Sequence, residues 1–214
     1  MPDRTPSTPD RTTGRSDELH LSYGADILEA VRRCEGEWLW TDGGLLTPNP
    51  SPVGGTWAFL RVRDGFHVPG GCARGILLAE LDAPVSGNTM EMLAVVEGLE
   101  SLPDGWEGTV ASDSMVTLRR MLAPLSPWSG CPEILRERYH AQRRRLGALR
   151  GVLVAGHPSR AALEAGVGKD GVAVSRFNVW CDAACNRSKA EFFEFDKAIE
   201  QALVDEDLGL AVAA

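Results

Sequence analysis

The sequence predicts an α/β fold: a mixed five-stranded sheet, three antiparallel strands followed by parallel ones, with helices on both faces. Three observations lead there. Three short apolar runs, Glu37–Asp42, Gly54–Arg63 and Cys72–Ala79, follow one another across glycine- and proline-containing turns. Such runs, rich in aromatic and β-branched residues, read as an antiparallel meander. The period then changes at Thr89, where Met90, Leu93, Ala94, Val96 and Leu99 mark a helix. Beyond it, short strands alternate with helices, the pattern of parallel strands joined by right-handed crossovers.

The elements follow in chain order. Residues 1–20 are polar and repeat Pro and Thr, so a disordered tail is expected. Ile27, Leu28 and Val31 share one face of a short amphipathic helix, the centre of an N-terminal extension over residues 21–36. The core domain is expected over 37–204, with a tail at 205–214. Within it, Trp38-Leu39-Trp40 reads as a buried strand that delivers Asp42 to its end. The loop Gly43–Val53 holds Asn49 and three prolines. A Gly70-Gly71 turn precedes the third strand, and Pro103-Asp104-Gly105 closes the first long helix. Gly108–Ser112 is a short buried strand leading to Asp113. A helix over Ser114–Leu122 ends at Pro124, and a proline-rich stretch leads to an arginine-rich helix over Glu133–Leu149. Gly151–Ala155 is the fifth strand. Residues 159–176 read as an insertion, a helical piece followed by a glycine-rich turn. Two helices, Phe177–Ser188 and Ala190–Leu203, complete the chain.

With 214 residues, 43% of them hydrophobic, the chain suits one domain with extensions and a real core. No run is long and apolar enough to span a bilayer, and no secretory signal is visible. The five cysteines are scattered without a paired CxxC, which argues against a zinc site. Cys181 and Cys185, one helical turn apart, read as core packing. Unpaired thiols point to a reducing, cytoplasmic setting. The net charge of −8 argues against a nucleic-acid partner until its distribution is seen. Between Met115 and Arg150 stand eight arginines and two acids, so this segment carries +6 and the remainder −14. That asymmetry fits a local surface for an anionic ligand. It also fits a solvated helix in a chain that uses only three lysines.

The acids carry the chemistry. Asp42 ends the first strand, Glu91 lies one turn into the first long helix, and Asp113 ends the fourth strand. If the first and fourth strands are parallel neighbours, both aspartates emerge at one sheet edge, and Glu91 can point to the same spot. Three clustered carboxylates raise each other's pKa and call for a cation. All-oxygen ligation suits Mg²⁺ or Mn²⁺. Taken singly, each acid has a bland alternative: Asp113, for example, precedes Ser114 and could cap a helix.

Six motifs in order resemble type 1 ribonuclease H: TDGG (41–44), NPSPVGGTWAFL (49–60), SGNTMEMLAVVEGLESL (86–102), ASDS (111–114), VAGH (154–157) and NVWCDAA (178–184). The resemblance covers roughly residues 37–189. It implies a ribonuclease H-like fold with Asp42, Glu91, Asp113 and Asp182 holding two divalent ions. His157 matches the family's mobile histidine. Asn49 and Asn88 match asparagines that contact the substrate backbone, while Glu91 and the Gly43 backbone would face the ribose 2′-hydroxyl. The implied activity is cleavage of the RNA strand of an RNA–DNA hybrid, leaving 5′-phosphate and 3′-hydroxyl ends, by an enzyme expected to be a monomer. Arg138, Arg143, Arg144 and Arg145 lie where some members carry a basic protrusion that grips the hybrid. The chain departs from the pattern at Gly44, where Ser is usual, and at Met115, where Gln is common. The segment from His157 to Asp182 is about fifteen residues longer than usual, and this insertion could modify substrate entry. The alternatives are a nuclease of this fold acting on DNA or other nucleic acid, a non-catalytic hybrid- or double-stranded-RNA-binding module, and an interaction platform presenting the 159–176 insertion.

Overall fold

The aromatic run Trp38-Leu39-Trp40 forms the middle of the sheet, within strand β2 (Glu37–Leu45). The computed structural model describes residues 18–20, 25–80, 84–122, 128–169 and 171–207. The expected disorder of residues 1–17, part of the proline-rich stretch (123–127) and the end of the C-terminal tail (208–214) lie outside the described residues. β2 pairs antiparallel with β3 (Gly54–Arg63), which pairs antiparallel with β4 (Phe66–Leu78). On its other side β2 pairs parallel with β5 (Gly108–Ser112), which pairs parallel with β6 (Leu149–Leu153). These are the five expected strands in the expected sense.

A short sixth strand, β1 (Glu18–His20), pairs parallel with β6 and gives the order β1-β6-β5-β2-β3-β4. It comes from the segment expected to be a disordered tail. An open sheet edge offers unpaired N–H and C=O groups to any extended segment, and such pairing leaves no hydrophobic pattern in the sequence.

Side chains alternate across the sheet, and the alternation sorts the core into two layers. Leu39 and Val110 face one layer, formed by α2 (Gly87–Glu100), α3 (Met115–Leu122) and α4 (Glu133–Arg145). Trp38, Trp40 and Ala111 face the other, formed by α1 (Ala25–Arg33) and α6 (Arg176–Asp207). The N-terminal helix thus packs on the common core through Val31, with Ile27 and Leu28 beside it.

Several boundaries differ from expectation: β2 runs on past Asp42, its expected end, to Leu45, and β6 spans Leu149–Leu153 where Gly151–Ala155 was expected. β4 starts at Phe66, six residues earlier than the expected Cys72. Pro69-Gly70-Gly71 looks like a turn, but on an edge strand a proline gives up no required ladder bond, and the register shift between Leu60 and Val62 absorbs the irregularity. The arginine-rich helix ends at Arg145, because Leu146 takes an extended backbone (φ −89°, ψ 157°) that leads into β6 at Leu149. The two expected C-terminal helices are one, α6, since no glycine or proline interrupts residues 176–207. That helix also runs past residue 204, where the domain was expected to end, to Asp207. Within the insertion, α5 (Arg160–Ala165) is capped by the Ser159 hydroxyl and ended by Gly166 in the left-handed conformation. No helix of the described residues is long and apolar enough to cross a membrane.

Candidate active site

The strand alternation that builds the core also aims the acids. Trp40 and Ala111 are paired neighbours on β2 and β5 and face the α6 layer. Two residues further on, Asp42, still within β2, and Asp113, just past the end of β5, lie at the same level and on the same face. α6 brings Asp182 to that face. Glu91 arrives from the opposite layer, carried by the first turns of α2. Its approach depends on Gly43, whose missing side chain would point at α2: a Cβ there would run into the Glu91 nitrogen and lie 2.7 Å from the Met90 carbonyl oxygen. With glycine, the helix start closes onto the strand end, and the Gly43 N–H donates to Glu91 Oε1 at 3.2 Å. Ser112, on the α2 side of β5, donates to Glu91 Oε2 at 3.4 Å. α2 itself is started by Ser86, whose hydroxyl accepts from the Thr89 N–H at 3.2 Å.

Asp42, Glu91 and Asp113 each present a carboxylate oxygen within 4.8 Å of the others. No Lys or Arg forms an ion pair with any of them among the described residues. Burial, then the charges of Asp113 and Asp182, push the Asp42 carboxyl up to about 7. Burial, then Asp113 and Asp42, raise Glu91 well above the ordinary range, against the pull of the Gly43 N–H and the Ser112 hydroxyl. Asp113 is raised chiefly by burial, with His157 acting in the opposite sense. A partly buried set of oxygen donors that repel one another suits a hard divalent cation, which would restore their ionisation.

Asp182 stands beside this cluster. Its Oδ1 lies 3.3 Å from His157 Nδ1 and accepts from the Asn186 amide at 3.2 Å. His157 is 78% exposed, at a left-handed φ of 45°. The preceding Gly156 lies against Asp113, where a Cβ would collide with Oδ2. The long segment between His157 and Asp182 does not separate them, because it folds back on itself. Ala155 N–H donates to Ala173 carbonyl at 2.8 Å, and Val167 pairs with Ala173. α5 and the turn after it line a groove of about 1020 Å³ with α1, so part of the insertion lies beside the N-terminal helix.

The remaining predicted residues divide. Asn49 accepts from the Gly87 N–H at 3.3 Å and so ties the proline-rich loop to the start of α2. Asn88 is exposed one turn before Glu91. Three of the named α4 arginines have partners within the chain. Arg138 reaches Glu97 and Glu100, each at 2.7 Å. Arg143 donates to the Gly147 carbonyl at 2.9 Å. Arg145 donates to the carbonyls of Leu99, Glu100 and Leu102. Arg138 and Arg145 tie α4 to the far end of α2, while Arg143 bonds to the chain just past its own helix. The cause is the set of bare carbonyls at a helix C-terminus, which a guanidinium satisfies well. Arg144 is exposed. Three residues that support the site escaped sequence reasoning: Ser112, Asn186 and Cys185, whose Sγ donates to the Asp42 carbonyl at 3.4 Å. Strand alternation signals Ser112, and helical spacing from Asp182 signals Asn186.

No protein-family model matches the chain, and no curated protein matches it. Solved structures do. The N-terminal RNase H domain of a Mycobacterium tuberculosis protein, studied as a fusion with maltose-binding protein, is 15% identical with a TM-score of 0.51, over 76% of this chain and 99% of that one. RNase H1 from the halophilic archaeon Halobacterium salinarum NRC-1 is 17% identical with a TM-score of 0.49, over 72% of this chain and 98% of that one. The sheet order, the helical layers and the first of these likenesses establish a ribonuclease H-like fold for this chain.

Proposed function

We propose that the chain is a metal-dependent endonuclease that hydrolyses the RNA strand of RNA–DNA hybrids, leaving 5′-phosphate and 3′-hydroxyl ends. The observation that carries this reading is the cluster of Asp42, buried, with Glu91 and Asp113, half-buried, within 4.8 Å and without a Lys or Arg partner among the described residues, with Asp182 and His157 beside it. A structural role rarely keeps like charges buried together, since each costs desolvation that no partner offsets.

Asp42, Glu91, Asp113 and Asp182 would hold two divalent ions, Mg²⁺ or Mn²⁺. Such a pair, when bound, supplies an activated water and charge neutralisation for in-line displacement at phosphorus. The residues of the chain set the stage. Gly43 and Ser112 fix the Glu91 carboxylate by one hydrogen bond to each oxygen. Asn186 fixes one oxygen of Asp182. His157 turns Nδ1 toward Asp182, which leaves Nε2 to exchange a proton with water or the departing product. Glu91 and the Gly43 main chain stand at the strand end where a ribose 2′-hydroxyl would be read. Asn49, by holding the proline-rich loop to α2, shapes the same wall.

The test is a labelled panel of RNA–DNA hybrid, double-stranded RNA, double-stranded DNA and single-stranded RNA, incubated with Mg²⁺ or Mn²⁺. Asp113→Asn serves as control. Cleavage of the hybrid's RNA strand, lost in the variant, is the expected result. Cutting of duplex DNA assigns the site to another phosphodiester substrate. Binding of hybrid without any cleavage overturns the enzymatic reading.

A further inference from the structure

The open end of β2 lies beside a cation that the sequence did not single out. Three residues past Asp42, the strand ends at Leu45, and its carbonyl is taken by the Lys189 ammonium at 2.9 Å. Lys189 sits about two turns beyond Asp182 on α6. The helix between them is fixed along the sheet. Cys185 donates to the Asp42 carbonyl, and Ser188 is buried and receives the Arg74 guanidinium at 2.9 Å. The lysine is therefore positioned by the same helix that positions Asp182.

Its charge is unanswered. Lys189 is half-buried and forms no ion pair with a carboxylate among the described residues. The acid two positions on, Glu191, is held through both oxygens by Arg74 at 2.7 and 2.9 Å. One neutral carbonyl uses one of the three N–H donors of an ammonium. The other two N–H donors are available to an anion that approaches the end of β2. At a strand rise of about 3.3 Å, Leu45 lies about 10 Å along β2 from Asp42. A nucleic-acid strand carries one phosphate per about 3.4 Å of axis. We infer that Lys189 binds a backbone phosphate of the nucleic acid within about three nucleotides of the bond held at Asp42, Glu91 and Asp113. A lysine suits this task as a point charge on a flexible stem. The inference rests on the proposed function and adds to it a contact on α6.

The experiment measures hybrid binding by the non-cleaving Asp113→Asn chain across a salt series, alone and combined with Lys189→Gln or Lys189→Arg. Lys189→Gln should weaken binding about three- to tenfold at low salt and make the log–log salt slope shallower by about 0.7–0.9, the loss of one phosphate contact. Lys189→Arg should keep both slope and affinity. A second measurement leaves Lys189 intact: acetylation of that Asp113→Asn chain, read by mass spectrometry, should show hybrid protecting Lys189 and leaving Lys169 reactive. An unchanged slope in Lys189→Gln, or equal reactivity of the two lysines, overturns the inference. So does equal loss in Lys189→Gln and Lys189→Arg, which would make the lysine a tie between α6 and β2. Failure of the Asp113→Asn parent to bind hybrid or any other duplex overturns the proposed function as well, so the two failures are distinguishable.

Discussion

The two ends of α2 handle charge in opposite ways. At its C-terminal end, Glu97 and Glu100 meet Arg138, and the last carbonyls meet Arg145. Every charge there has a partner of the other sign or a dipole that suits it. At its N-terminal end, half-buried Glu91 stands among Asp42 and Asp113, and the carboxyls are pushed upward. The same helix is stabilised at one end and loaded with repulsion at the other. Paired charge is what a fold needs to hold two helices together. Unpaired charge of one sign, buried at a sheet edge, is what a fold tolerates only where a ligand completes it.

The largest expected effect breaks the loaded end. Asp42→Asn or Asp113→Asn should lower cleavage of hybrid by at least about 10³-fold, on the scale seen when an essential catalytic group is lost. The same variants should melt higher than the parent in the absence of divalent ions, because each removes a buried repulsive charge. A lower melting point for both would deny that the cluster is repulsive. His157→Ala should cost about 10²-fold in turnover, the lower range for a positioned proton carrier, with almost no change in melting point since the side chain is largely exposed. Equal loss in melting point and turnover would make His157 a structural residue. Gly156→Ala comes next. A methyl group there meets Asp113 Oδ2, and thermal unfolding should show a loss of about 1–3 kcal/mol together with weaker divalent-ion binding.

The paired end gives the contrasting prediction. Arg138→Ala should destabilise by about 1–2 kcal/mol, less than a fully buried pair because the side chain keeps 30% exposure. Arg145→Ala should do the same by baring the carbonyls of Leu99, Glu100 and Leu102. Neither should change the salt slope of hybrid binding. A shallower slope in either variant would return these arginines to the substrate.

How much of this was legible follows from what each residue's role depends on. β3 and β5 were readable to the residue because their apolar runs are bounded by glycines and acids. The meeting of Asp42 and Asp113 was readable because parallel pairing of two short strands leaves little freedom in where their ends fall. Glu91 was readable from its place in the first turns of a long helix. β1 was not, because edge pairing is made by main chain alone. The continuity of α6 was obscured by its polar stretch around Asn186–Lys189, where no breaking residue stands. The arginines of α4 are ambiguous for a physical reason. A run of positive charge looks the same in sequence whether it faces a polyanion or the carbonyl end of a neighbouring helix. Lys189 was invisible because its meaning comes from Leu45, far away in the chain.

The central claim is that the cluster is held ready for divalent cations, and the melting point as a function of pH tests it most directly. Asp42 in the folded chain keeps its proton to about pH 7, against an ordinary value of 3.8. Between those values the folded state binds more protons than the unfolded one, so this group's contribution to stability is full below about pH 4 and is lost as pH rises through about 7. Glu91 and Asp113 shift in the same direction. The melting point of the parent relative to Asp42→Asn should therefore fall from pH 4 to pH 7 in chelator. Added Mg²⁺ or Mn²⁺ at neutral pH should then raise the parent and leave Asp42→Asn nearly unmoved, since an ion that binds only the folded state stabilises it by mass action. A parent and variant that run parallel across pH and respond alike to the cations would contradict the account.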